Sequence, residues 1–149
     1  MAKRIYQKRY KSSYYMLYTL WANVPSYEGR YIISIDGDVI SIPRRVNVGS
    51  KERLVPKKIL KSRIDRYGYI TVGLNRNHVV KYHKVHRLVL AAFKGCSNLE
   101  VNHIDYDRVN NAIENLEYVT RKENWHHSRE RHIAALPKGN NHWRRKNAR

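Results

Sequence analysis

From Trp21 to about His83 the apolar positions recur every second residue. Tyr31, Ile33 and Ile35 alternate with their neighbours up to Asp36-Gly37, a dipeptide that closes tight hairpins, and Val39 to Ile42 resume beyond it. Ile70, Val72 and Leu74 share one face of a further strand, Asn75 to Asn77 supply a turn, and Val80 to Val85 return. The pattern predicts an antiparallel sheet of at least four strands, a module over 21–84. Pro43 to Lys58 has no such period and is expected to be a basic loop.

The period then changes. Val85, Leu88, Val89 and Ala92 fall at i, i+3, i+4 and i+7, which predicts a short amphipathic helix ending near Gly95. Val101 and Ile104 flank Asn102 and His103, while Leu116, Tyr118 and Thr120 alternate, so these segments pair as a loose hairpin across a long polar loop. Thr120 with Glu123 is a capping box, and no Gly or Pro follows from Lys122 to Ile133, so a helix starts at Thr120. The fold class expected is α+β: an antiparallel sheet module, then a helix and a strand, strand, helix unit over 85–134.

Composition narrows the partner. Lys and Arg number 30 against 12 Asp and Glu, a formal charge of +18, which points to a polyanion. Charge alone fits a solvated surface, ribosomal RNA or an anionic lipid as well as DNA. Residues 1–20 mix Lys and Arg with Tyr and read as a basic arm; 135–149 read as a second, basic tail. The tail is too short for a helix-turn-helix, so the sheet and arms would carry loose sequence preference. Within the loop, Arg44, Arg45, Lys57 and Lys58 are candidates to lie on phosphates, as are Arg121 and Lys122 at the last helix's start.

Cys96 is the only cysteine, which excludes an internal disulfide and the paired-cysteine zinc fingers, and suits a reducing cytoplasm. The Tyr-crowded stretch 14–24 is too short and polar for a membrane span and has no cleavage signal, so no membrane association is expected.

The chemistry concentrates in Val101-Asn102-His103-Ile104-Asp105, Asn110-Asn111, and Glu114 to His127. Phosphodiester hydrolysis needs an activated water and charge neutralisation at the phosphate; an imidazole such as His103 and an oxygen-ligated divalent ion supply both. Read without further context, His103 is equally a strand-end histidine, and Asn110, Asn111 and Asn115 ordinary turn formers.

The order His103, Asn115, then Asn124 or His127 resembles the His-Asn-His signature of HNH nucleases with their ββα-metal fold, in the phage and intron homing branch. Upstream, Trp21, Pro25, Tyr27-Glu28-Gly29, Tyr31, Ser34, Gly37, Val39 and Ser41 are similar to the NUMOD4-like DNA-binding module that precedes such nucleases, and Val85-His86-Arg87-Leu88-Val89 to its connecting helix. The resemblance implies a metal-dependent endonuclease that nicks double-stranded DNA. His103 would be the general base, Asn115 a brace of the loop, and Asn102 and Asn124 the metal ligands. His127 would contact the leaving phosphate, and His86 and Arg87 the scissile strand.

Relatives often carry Asp where Asn102 stands, so metal binding without DNA should be weak. Oxygen ligands favour Mg²⁺ or Mn²⁺ over zinc or nickel, with no other small-molecule cofactor. No dimer surface is marked, which leaves a monomer or weak dimer. The alternative is a non-catalytic or degenerate HNH-fold protein that only binds nucleic acid.

Overall fold

The two-residue alternation becomes antiparallel sheet on both sides of a central helix. The computed structural model describes residues 6–9 and 18–134, and its fold is α+β. Strands β1 (Tyr6–Arg9), β2 (Tyr18–Asn23), β3 (Tyr31–Ser34), β4 (Val39–Ser41) and β7 (Lys58–Ile59) form one sheet in that order. Strands β8 (Arg63–Ile64), β9 (Ile70–Arg76) and β10 (Val79–Lys84) form a second, with β9 central. Helix α1 (Val85–Phe93) follows β10 directly; β11 (Glu100–His103) and β12 (Leu116–Val119) then make a hairpin that leads into α2 (Arg121–Ala134).

Three expectations need correction. The stretch Pro43 to Lys58 is not a loop: Arg44–Val48 (β5) pairs with Lys51–Val55 (β6) across the two-residue turn Gly49-Ser50, and Lys58 enters β7. The signal lay in Val46, Val48, Leu54 and Val55, β-branched or aliphatic residues around a Gly-Ser turn, masked by interleaved Lys and Arg. The second hairpin turns at Asn77-His78, both left-handed at φ 52 and 63, because Asn75 and Arg76 continue β9 and Arg76 pairs with Val79. Within the expected arm, Tyr6–Arg9 is a strand paired with Tyr18–Trp21; the rest of the arm, and the tail 135–149, lie outside the described residues.

One apolar cluster spans these elements. Ile33 and Val39 of the first sheet, Val72 and Leu74 of the second, Val85, Leu88, Val89 and Leu90 of α1, and Leu116 of β12 pack together. Each such side chain contributes about 1.5–3 kcal/mol relative to exposure. Helix α1 is the hub because its apolar stripe is wide enough to face both sheets. It ends where Lys94 N–H closes on the Leu90 carbonyl and Gly95 turns left-handed at φ 95.

The Asp36-Gly37 turn fixes the hairpin unit against the first sheet. Ile113 N–H donates to the Ile35 carbonyl at 2.9 Å. Gly37 has φ +96, and a Cβ there would lie 2.9 Å from Val85 Cγ1 and 3.1 Å from Asn111 Cβ. Only glycine satisfies both the conformation and the approach. Gly37→Ala is therefore expected to lower unfolding free energy by about 1–3 kcal/mol, read from urea denaturation midpoints at unchanged m-value.

Candidate functional site

Strands β11 and β12 pair Asn102 with Glu117 and His103 with Leu116, so His103 is the last paired residue before the long loop. Asn115 closes that loop. Its Oδ1 accepts from Asp105 N–H at 3.0 Å, its Nδ2 donates to Asp105 Oδ1 at 2.8 Å and to the Asn110 carbonyl at 2.9 Å, and its carbonyl accepts from Ile104 N–H. Asp105 also accepts from Asp107 N–H and from Asn110 Nδ2. These donors, Asn110 foremost, hold the Asp105 carboxyl below its ordinary range, with the neighbouring His103 adding to the effect. Asp105 and Asn115 thus tie the two ends of the loop together.

His103 is 5% exposed. Its Nε2 lies 3.4 Å from Asn111 Oδ1, and Asn111 Nδ2 donates to the Val109 carbonyl at 3.1 Å. The carbonyl partner fixes the Asn111 amide with its oxygen toward the ring, so Nε2 is the donor and a neutral imidazole keeps Nδ1 bare. Burial lowers the His103 pKa from its ordinary value, opposed by the Asn111 bond and by Asp105 and Asp107. The ring is therefore unprotonated at neutral pH.

His103 and His127 line one cleft of about 140 Å³ together with Asn102, Tyr69, Tyr106 and Arg108. His127 stacks on Tyr106, with ring centroids 4.0 Å apart and planes 16° from parallel. Arg108 and Lys84 both lie over the Tyr69 ring, at 4.9 and 3.9 Å, and put positive charge beside the cleft. Asn124 does not line it; its Nδ2 donates to Glu100 Oε2 at 2.6 Å, and Asn102 Nδ2 donates to Glu117 Oε1 at 2.8 Å. Helix α2 starts at the expected capping box, with Thr120 N–H on Glu123 Oε2 at 2.7 Å and Glu123 N–H on Thr120 Oγ1 at 3.3 Å.

Several expected contacts are redirected. His86 is 3% exposed, edge-on to His103 with centroids 4.9 Å apart and beside Tyr69, so it cannot reach a phosphate; the apolar side of α1 carries it inward. Arg44 is spent inside the module, donating to Ser41 Oγ and to the Arg30 and Ile42 carbonyls while lying over the Tyr31 ring. Arg87 is exposed but lines a separate cleft with Cys96, Leu99 and Tyr118. Arg45 is exposed and paired with Glu52; Lys57, Lys58, Arg121 and Lys122 are exposed. Sequence reasoning missed Asn111, Tyr69, Tyr106, Arg108, Glu100 and Glu117. Only the Asn110-Asn111 pair carried a signal, since the others depend on packing between distant segments.

Burial, then the neighbouring His103, Lys84 and Arg87, lowers the His86 pKa from 6.5 to about 3. The folded state refuses a proton that the unfolded chain accepts below pH 6.5. Stability is thus undiminished above that pH and falls as pH drops toward about 3, by at most about 1.4 kcal/mol per unit from this group. Urea midpoints measured across that window should fall less steeply in His86→Leu than in the native chain.

Comparison with known proteins bears on the same segments. A model of the HNH endonuclease family matches residues 83–126, and the NUMOD4 motif matches residues 20–75. An uncharacterized HNH endonuclease of Acanthamoeba polyphaga mimivirus is 39% identical over 99 residues, which is 65% of this chain and 26% of that protein. The DNA endonuclease I-HmuI of Bacillus phage SP01 is 35% identical over 108 residues, 70% of this chain and 54% of the relative. The solved structure of I-HmuI, an HNH homing endonuclease whose DNA binding and cleavage it describes, matches with a TM-score of 0.62 at 34% identity, over 78% of this chain and 60% of that one. The chain spans from about a quarter to about half the length of these curated relatives. Residues 83–126 are thus similar to an HNH endonuclease segment and residues 20–75 to the NUMOD4 motif, on a fold shared with the HNH homing endonuclease I-HmuI.

Proposed function

We propose that the protein is a metal-dependent endonuclease that nicks double-stranded DNA, with His103 as general base. One observation carries the reading: a buried, neutral imidazole with Nδ1 bare shares a single cleft with Asn102 and His127. An unprotonated nitrogen held in place is what a base requires, and burial makes it available at neutral pH. His103 takes a proton from the attacking water at Nδ1, while Nε2–H remains on Asn111. His127, on the opposite wall, orients the phosphate.

The family implies a divalent cation, and the donor chemistry fits one. Each amide, of Asn102 and of Asn124, gives its nitrogen to a glutamate, which leaves its oxygen free as a hard ligand. Asn102, which lines the cleft, would hold the ion with phosphate oxygens and water; Asn124, bonded to Glu100 outside the cleft, would have to turn inward to join it. Mg²⁺ or Mn²⁺ there would neutralise the charge building on the phosphate and its leaving oxygen. Exposed Arg45, Lys57, Lys58, Arg121 and Lys122 supply phosphate contacts, whose affinity should fall with salt. With one such cleft among the described residues, a monomer in a host cytoplasm would cut one strand per encounter.

A binding-only protein is the second reading, favoured by one observation: Asn102 is neutral and already bonded to Glu117. Asn102→Asp distinguishes the two. It sets a carboxylate against Glu117, so metal-free stability should fall and Mn²⁺ should restore it with increased nicking. A stability loss that Mn²⁺ leaves untouched would reject Asn102 as a ligand.

The primary test uses supercoiled plasmid with Mg²⁺ or Mn²⁺. His103→Ala is expected to remove at least about 100-fold of the nicking rate while DNA affinity is retained. Chelation should silence the native protein and added Mn²⁺ revive it. Cutting by His103→Ala at the native rate would sink the assignment of the base.

A further inference from the structure

Helix α2 carries His127 of the candidate site, yet among its described side chains it has almost no apolar hold on the body. Of its side chains over 121–130, only Asn124 and His127 are partly buried; Trp125 is 55% exposed. These residues stand at i and i+3 on one face, and each has a polar or aromatic partner from the hairpin unit: Asn124 bonds Glu100, and His127 stacks on Tyr106. The stack is the one of the two that enters the cleft.

Tyr106 occupies an unusual backbone position. Its φ is +64, in the left-handed region where a bulky aromatic residue is an outlier and where Gly or Asn sits at ease. Its N–H closes a tight turn on the His103 carbonyl at 3.1 Å. The same residue therefore grips the backbone of one cleft histidine and the ring of the other. An unfavourable conformation that persists at a site, with its side chain engaged there, points to a role for that side chain.

We infer that Tyr106 is a positioning residue: its ring docks α2 through His127 and so sets the spacing of the two histidines across the cleft. The inference rests on the nuclease reading for its effect on cutting, but the docking itself is independent of metal and DNA. A ring lying parallel to His127 at this distance shifts the His127 ring protons upfield.

The test compares native protein with Tyr106→Phe, which keeps the ring, and Tyr106→Asn, which keeps the turn and loses the ring. In metal-free, DNA-free protein, the His127 ring protons should be shifted upfield in native and Phe proteins and return to ordinary positions in the Asn variant. Nicking by Tyr106→Asn should fall about 100-fold in kcat with KM for DNA nearly unchanged, as a displaced group costs; Phe should restore native kcat. The Asn variant should unfold at or above the native temperature.

Native protein without the upfield shift would overturn the inference even if the Asn variant cannot be prepared. So would native-rate cutting by Asn, a Phe variant as slow as Asn, or a marked loss of thermal stability in Asn, which would make the ring a packing element. Cutting that survives His103→Ala would instead refute the nuclease mechanism and leave the ring-shift result standing.

Discussion

A largely buried imidazole is the constraint from which the rest of the arrangement follows. Removing His103 from water costs free energy unless its ring finds partners, and the partners come from three different parts of the chain: Asn111 from the loop, His86 from α1 and Tyr69 from the turn before β9. Those parts can meet only if α1 is buried between both sheets and the Asp36-Gly37 turn presses on the loop. The sheet module is therefore part of the support of the site, whatever it contributes to recognition of DNA.

How much of this was legible in the sequence differs by element, for physical reasons. Helix α1 and the Thr120 capping box were readable because their signals are local: a period of apolar residues, and two side chains three positions apart. The hairpin around His103 was readable for the same reason. The β5–β6 ribbon was not, because β6 is mostly exposed and both strands carry Lys or Arg among their apolar residues, so the apolar alternation expected of a half-buried strand was diluted. The Asn77-His78 turn was misplaced by two residues since Asn75 also belongs to the usual turn formers.

The site was legible in its motif and illegible in its surroundings. Asn102, His103, Asn115 and His127 could be named from order and spacing, and the structure brings Asn102, His103 and His127 to one cleft. The direction in which α1 turns His86, the Asn111 amide behind His103, and the glutamates that hold Asn102 and Asn124 depend on which segments pack together. Arg44 illustrates the same limit from the other side, since a cation in a basic stretch looks available until its carbonyl partners are known.

The β5–β6 ribbon has a different consequence. Among the described residues its strands pair with each other alone, and Arg44 ties it to the sheet below. Mutations beyond that anchor therefore escape the packing restraints that freeze the cluster around α1. Substitutions there would change the ribbon's basic surface while leaving the packing around His103 as it is.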